Sequence, residues 1–306
     1  MAEKLRVVFV AGSGHTGSTL LAMLVDTHPQ IVSVGETSIK PKIRRRGDGD
    51  KQPCSCGRLI KDCSFWQGVF ENVRRQGFDF SEHNWANDYR LEHPRLNRLL
   101  GHHSSRRPVR LFQEWAAHNL PVFKERTTRV GRVNVAFVRA LLEVSGARVF
   151  FDTTKHTLRL SRLLELPELD VKVVTLVRDV RGYAASAKRR GLSIVDASHT
   201  WRKDQEVIAS ITDSLPSERR MTLRYEDLCL DPAQALSRVY EFCEVDAVLP
   251  VSSVNSVDHH VIGNSMRFGG SIRVRLDESW RSRLEDEEQQ RILQIAGRAN
   301  AEFGYA

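Results

Sequence analysis

No apolar run in the 306-residue chain approaches the roughly 18 residues that a membrane-crossing helix needs. The start, MAEKLRVVFVAGSG, passes from a short polar lead straight into a strand-like segment without a cleavable signal pattern. A cytoplasmic protein with no membrane span is expected. Cysteine is scarce and odd in number, five in all, which argues for reduced thiols. Three of them, Cys54, Cys56 and Cys63, fall in PCSCGRLIKDCSFW, where no histidine or fourth cysteine completes the set of about four ligands that zinc takes. A structural loop or a disulfide is expected there, and no metal. Cys229 and Cys243 read as small core residues. Aromatics make up only 8% and do not interleave with the basic clusters at 40–46, 106–110 and 188–190. With no zinc-finger or helix-turn-helix signature either, the net charge of +8 points to an anionic small ligand and not to nucleic acid.

What is present suits an α/β domain. The composition, 41% hydrophobic and 27% charged, allows an ordinary buried core. LRVVFVAG is a continuous β-branched run ending in glycine, the pattern of a strand covered on both faces of a parallel sheet. GSTLLAMLVDTHP follows with helical spacing and stops at His28, since the residue before a proline resists the helical conformation. Over 37–131 the pattern weakens into an irregular, largely helical insertion that shapes a pocket or lid, with Trp66, Trp85 and Trp115 as ligand-facing or core aromatics. Order returns with a helix over VNVAFVRALLEVSG, strands over ARVFFD, DVKVVTLV and MTLRY, and helices over 157–166, 180–190, 232–243 and 285–303. Strands alternating with helices predict a parallel sheet flanked by helices on both faces, one domain over 1–306.

In such sheets ligands bind at the carboxyl ends of the strands. Four ends carry suggestive residues: 12–19, DTTKH, RDVRGYAAS and RYED. The first almost spells the triphosphate loop GxxxxGK[ST], with Gly12, Gly17 and Thr19 in place, but Ser18 stands where the lysine belongs. Its backbone N–H groups and helix start suit an anion, while the missing cation argues against a terminal triphosphate. Arg178 at a strand end and Ser186 on the following helix form a second pair able to bind a phosphate.

Together GSGHTGSTLL and LVRDVRGYAASAKRRG resemble the two signatures of sulfotransferases that use 3′-phosphoadenosine 5′-phosphosulfate (PAPS). The resemblance, over 5–40 and about 148–305, implies a P-loop NTPase-like sulfotransferase fold with adenosine 3′,5′-bisphosphate as product. It implies that Gly14, His15, Thr16, Gly17, Ser18 and Thr19 bind the 5′-phosphosulfate, and that Arg178 and Ser186 hold the 3′-phosphate. LRYEDLCLDP is similar to the segment whose tyrosine, here Tyr225, approaches the nucleotide, and GNSMRFGGSIRV implies Arg267 and Gly269 near the 3′-phosphate. The stretch running through HPQIVSVGET resembles the protein-tyrosine sulfotransferases, which implies Glu36 as general base. His156 in FFDTTKHTLRL is the second candidate base, ranked below Glu36, with Lys155 beside it supplying positive charge. Family members commonly carry Lys or Arg where this chain has His15, so His15 if protonated, or else Lys155, takes that role; Leu20 replaces an aromatic some members have. The acceptor is a hydroxyl on a small molecule, carbohydrate or lipid. The alternatives are a P-loop kinase or nucleotide triphosphatase and a non-catalytic nucleotide-binding protein.

Overall fold

Strand β1 (Leu5–Ala11) is at most 2% exposed from Val7 onward, because it lies at the centre of a sheet with both faces covered. Side chains alternate along a strand, so Val7, Phe9 and Ala11 enter one core while Val8 and Val10 enter another. The computed structural model describes residues 3–37, 51–91, 93–104, 106–248, 253–254, 259–268 and 272–306. Beside β1 run β2 (Ile31–Val32), β3 (Val149–Asp152), β4 (Leu169–Val177) and β5 (Arg220–Arg224), all parallel, in the order β2-β3-β1-β4-β5. A small antiparallel pair, 253–254 with 272–273, stands apart from this sheet.

The main helices are α1 (Ser18–Val25), α2 (Ser64–Arg75), α3 (Arg107–Asn119), α4 (Pro121–Ser145), α5 (Thr157–Leu164), α6 (Val180–Lys188), α7 (Ile194–Thr212), α8 (Pro232–Cys243) and α9 (Asp286–Ala301). One face of the sheet packs against α2, α4, α5 and α7, the other against α1 and α8. A third cluster joins α6, α7 and α9 around Trp201 and Trp280. Among the described residues no helix is long and apolar enough to cross a membrane.

Two features differ from the sequence expectation. Helix α4 begins at Pro121 and runs unbroken through residue 131, so the helix read over VNVAFVRALLEVSG extends back into the stretch taken as insertion. Proline suits this start, since its missing N–H is not needed in a first turn. Within that stretch Trp66 and Trp85 are core: both are at most 1% exposed and pack, largely edge to face, against each other and among Phe70, Phe80 and Phe137 at ring separations of 5.1 to 6.4 Å. Trp115 is half exposed and stacks on Phe112. The second difference is α7, a helix absent from the sequence reading. It buries Ala197, Trp201, Gln205 and Ile208 at helical spacing, but Ser198 and Gln205 interrupt its apolar stripe, which hides the period.

Candidate active site

The chain leaves β1 toward β2 and β3 on one side of the sheet and leaves β4 toward β5 on the other, so the adjacent ends of β1 and β4 open a crevice. The loop from Gly12 enters it and turns into α1 at Gly17. Only glycine serves there: its φ is 92°, and an added Cβ would lie 2.5 Å from the Tyr225 ring. Thr16 is buried and closes the loop by donating from Oγ1 to Ser13 O at 2.9 Å. Gly17, at the N-cap, has no side chain to cap α1, which leaves its first-turn N–H groups and positive dipole end to a ligand.

The end of β3 is locked before it delivers its functional residue. Asp152 and Arg159 form a buried ion pair at 2.8 Å. Asp152 also accepts from Thr154 N at 3.0 Å, and Thr154 Oγ1 accepts from Thr37 N at 3.0 Å. Glu36, one residue earlier, donates its N–H to Ile262 O at 3.1 Å. Gly35 makes that approach possible, with φ 74° and no room for a Cβ, which would fall 2.3 Å from Ile262 O. Lys155, itself at φ 62°, then points its ammonium into the crevice. Nζ donates to Ser18 Oγ and to Glu36 Oε1, both at 2.8 Å, and to Thr153 O at 3.2 Å, which occupies all three donors. The cation missing from the loop position of Ser18 is thus delivered from another strand.

Two cavities meet at this ammonium. One, of about 490 Å³, extends from Gly14, Ser18 and Thr19 toward Arg178, Ser186 and Arg275. The other, of about 310 Å³, is lined by Arg90, His102, His156 and Asp204. Gly14, Glu36 and Lys155 line both. His156 has both ring nitrogens shielded from solvent and, among the described residues, without a hydrogen-bond partner; burial, helped by Arg90, pulls its pKa down to about 4. Burial pushes the Asp204 carboxyl up.

At the far end of the first cavity Arg178 is nearly buried, 4.5 Å above the Tyr225 ring, and donates from Nη2 to Asp277 O at 2.9 Å and Oδ2 at 3.1 Å. Burial alone would raise the Asp277 carboxyl, but hydrogen bonds from Ser279 and Arg178 outweigh it and hold it at about 2. Ser186 Oγ accepts from Arg189 at 3.4 Å. His15, at φ 63°, accepts a hydrogen bond at Nε2 from Arg190. Burial first, then Arg190 and Lys155, lower the His15 pKa, so the ring is neutral near pH 7. Asn264 N donates to Thr19 Oγ1 at 3.2 Å.

The structure therefore gathers Gly14, His15, Gly17, Ser18, Thr19, Glu36, Lys155, Arg178, Ser186 and Tyr225 around one cavity and puts His156 in its neighbour. Thr16 braces the loop from inside. Arg267 is buried beside the cavity without lining it and donates to Gly263 O at 3.1 Å. Gly269 lies outside the described residues, as does the basic cluster at 40–46. Sequence reasoning missed Arg190, which sat unremarked in a basic run, and Asp204, which belongs to the unread α7. It also missed Arg275 and Asp277, which follow the GNSMRFGGSIRV stretch.

Comparison with known proteins bears on the fold and the family. A sulfotransferase domain from the olefin synthase of Synechococcus PCC 7002 superposes with a TM-score of 0.59 at 17% identity, over 100% of this chain and 97% of that one. A sulfotransferase domain from the curacin biosynthetic pathway superposes with a TM-score of 0.53 at 19% identity, over 96% and 98% of the two chains. At such identities the likeness speaks for the fold. No curated protein matches the chain. The family model described as "Sulfotransferase family" matches residues 7–248, most of the length, and the chain belongs to that family.

Proposed function

We propose that the chain moves a sulfuryl group from PAPS to an acceptor hydroxyl, as one cytoplasmic domain over 1–306 in which 37–131 helps shape the acceptor side. The meeting of two cavities at Glu36 and Lys155 carries this reading, since a transfer between two substrates needs both to reach one point. The residues suit the donor. The first cavity is within the roughly 300–1,000 Å³ of small-ligand sites, and it joins an uncapped helix start at one end to Arg178 and Arg275 at the other. When bound, PAPS supplies the sulfuryl group and a phosphate leaving group.

The chain's own residues then have these tasks. The loop N–H groups from Gly14 to Thr19, with Ser18 Oγ and Thr19 Oγ1, orient the 5′ end. Arg178 and Ser186 hold the 3′-phosphate, with Tyr225 against the arginine. Glu36 accepts the acceptor's proton from the second cavity, where His156 and Arg90 hold the acceptor. As that proton arrives, Lys155 loses part of its pairing with Glu36 and turns its charge toward the leaving phosphate beside Ser18. Neutral His15 contributes through Arg190, whose guanidinium donates to its Nε2. Arg90 and His102 support a share of residues 37–131 in the acceptor side.

Calorimetry with the purified chain tests the donor. Adenosine 3′,5′-bisphosphate is expected to bind and ATP–magnesium not to. Binding of ATP–magnesium alone would turn the reading toward a kinase or triphosphatase. Bisphosphate binding with no consumption of PAPS across a panel of phenols, sugars and lipid alcohols would favour a nucleotide-binding protein without turnover.

A further inference from the structure

Cys54, Cys56 and Cys63 lack a fourth partner in their own segment, but the fold brings one from 196 residues beyond Cys63. His259 Nδ1 lies 3.3 Å from Cys63 Sγ and 3.8 Å from Cys54 Sγ, and Cys56 Sγ lies 3.7 Å from Cys63 Sγ. All four ligand atoms lie within 4.8 Å of one another. A tetrahedral zinc with bonds of about 2.3 Å to sulfur and about 2.0 Å to nitrogen has edges of about 3.5–3.8 Å. Three of the six edges already measure 3.3 to 3.8 Å. All five cysteines are free thiols, so a disulfide does not use these sulfurs.

We propose that Cys54, Cys56, Cys63 and His259 bind one structural zinc ion, a site separate from the sulfuryl-transfer machinery. The surroundings are built for it. Cys54 N–H donates to Arg58 O at 2.8 Å and Gly57 N–H to Cys54 O at 3.1 Å, a tight turn that presents Cys54 and Cys56 together. His259 sits in the left-handed region at φ 59°, which few histidines adopt without a reason. Its carbonyl accepts from Trp66 Nε1 at 3.0 Å, and Phe65 stacks flat on its ring at 4.3 Å, which aims Nδ1 at the sulfurs. Cys54 and Cys63 are at most 1% exposed, as in a closed, structural site. Three thiolates on one dication leave a single negative charge, and the buried Arg267 guanidinium lies within Coulombic reach of Cys54. Softness and geometry of an S₃N set favour zinc over calcium or magnesium.

Such an ion staples 54–63 to the segment that supports the active site. Ser55 and His260 exchange hydrogen bonds at 3.1 and 2.8 Å. Val261 N–H donates to Val34 O, Ile262 O accepts from Glu36 N–H, and Asn264 reaches Thr19. Zinc binding to the folded chain releases the thiol protons to solvent and adds its binding free energy to folding.

The test uses the full chain, expressed with zinc in the medium and purified without chelator. Elemental analysis is expected to give about one zinc per chain, released by an organomercurial at the same stoichiometry. Cobalt(II) added to metal-depleted protein is expected to show the intense visible bands of tetrahedral thiolate coordination. Cys56 is the exposed ligand and its loss disturbs packing least; Cys56→Ser is expected to retain less than about a tenth of the zinc after dialysis while keeping the wild-type circular dichroism. Wild-type protein that holds no zinc as purified and takes up neither zinc nor cobalt would overturn the site, as would a Cys56–Cys63 disulfide found by mass under non-reducing conditions. Metal content is read without PAPS, so this outcome stands apart from that of the donor experiment.

Discussion

Lys155 Nζ stands 2.8 Å from Glu36 Oε1 and 2.8 Å from Ser18 Oγ, so one ammonium ties the proposed base to the phosphate loop. Its side chain is only 11% exposed, and a desolvated cation at this point interacts strongly with a developing phosphate charge. Lys155→Met is expected to lower kcat by about 10²- to 10³-fold, the size seen when one charge-stabilising donor is removed. Glu36→Gln is expected to lower kcat by about 10²- to 10⁴-fold with bisphosphate affinity little changed. Single-turnover rates and calorimetry on both variants separate the two steps. A Glu36→Gln enzyme with wild-type turnover would pass the role of base to His156.

The His156 ring makes acid stability an informative measurement. Its folded pKa of about 4 lies below the ordinary value of 6.5, so the unfolded chain binds the proton first. The stability tied to this neutral ring is whole above about pH 6.5 and is lost as pH falls toward 4. One such proton tilts unfolding free energy by at most about 1.4 kcal/mol per pH unit. His103, also drawn down to about 4 by burial, adds a similar tilt over the same window. Denaturant melts between pH 7 and 4 are expected to show a shallower slope in His156→Gln than in wild type. An unchanged slope would mean that the ring is already solvated and titrates normally.

Much of this was legible in the sequence because the informative parts are local. A buried β-branched strand, a glycine turn and an amphipathic helix follow one another in 5–25, and each obeys its own short-range rule. Ser18 in the lysine position was equally visible. What replaces the lysine was harder to read, since the contact spans 137 residues and depends on Lys155 adopting a left-handed backbone at the end of β3. Arg190 was hidden for a similar reason: within KRR nothing distinguishes it from a solvated neighbour until the fold sets it on His15. Asp204 was lost with α7, whose buried face carries Ser198 and Gln205 in place of apolar residues. His259 lies too far from the cysteines for any spacing rule to pair them.

The pairing of His15 with Arg190 predicts how the unusual histidine works. A neutral imidazole accepting an N–H bond brings the arginine's charge without carrying its own. Arg190→Ala is expected to lower kcat by about tenfold to 10²-fold, and His15→Ala by a similar factor, with the double variant no worse than the poorer single one. That non-additivity marks two residues acting as a unit. Independent, multiplying losses would show that His15 acts as a cation by itself.

Asp277 predicts a competition at the other end of the cavity. Its Oδ2 lies 3.1 Å from Arg178 and 3.7 Å from Arg189, so a carboxylate holds the position between two arginines that a 3′-phosphate would seek. With its pKa at about 2 this carboxylate is charged at any working pH, and it repels an incoming phosphate while shielding the arginines from it. Asp277→Asn keeps the shape and removes the charge. It is expected to tighten adenosine 3′,5′-bisphosphate by about tenfold, or about 1.4 kcal/mol, while leaving adenosine 5′-phosphosulfate, which has no 3′-phosphate, nearly unaffected. Arg178→Ala should do the reverse for the bisphosphate, weakening it by about 1.5–3 kcal/mol as a charged hydrogen bond is lost. The gain in Asp277→Asn should shrink as salt rises, because screening weakens the repulsion being removed. A weaker bisphosphate complex in that variant would instead mean that Asp277 works by orienting Arg178, and that the two anions are held side by side.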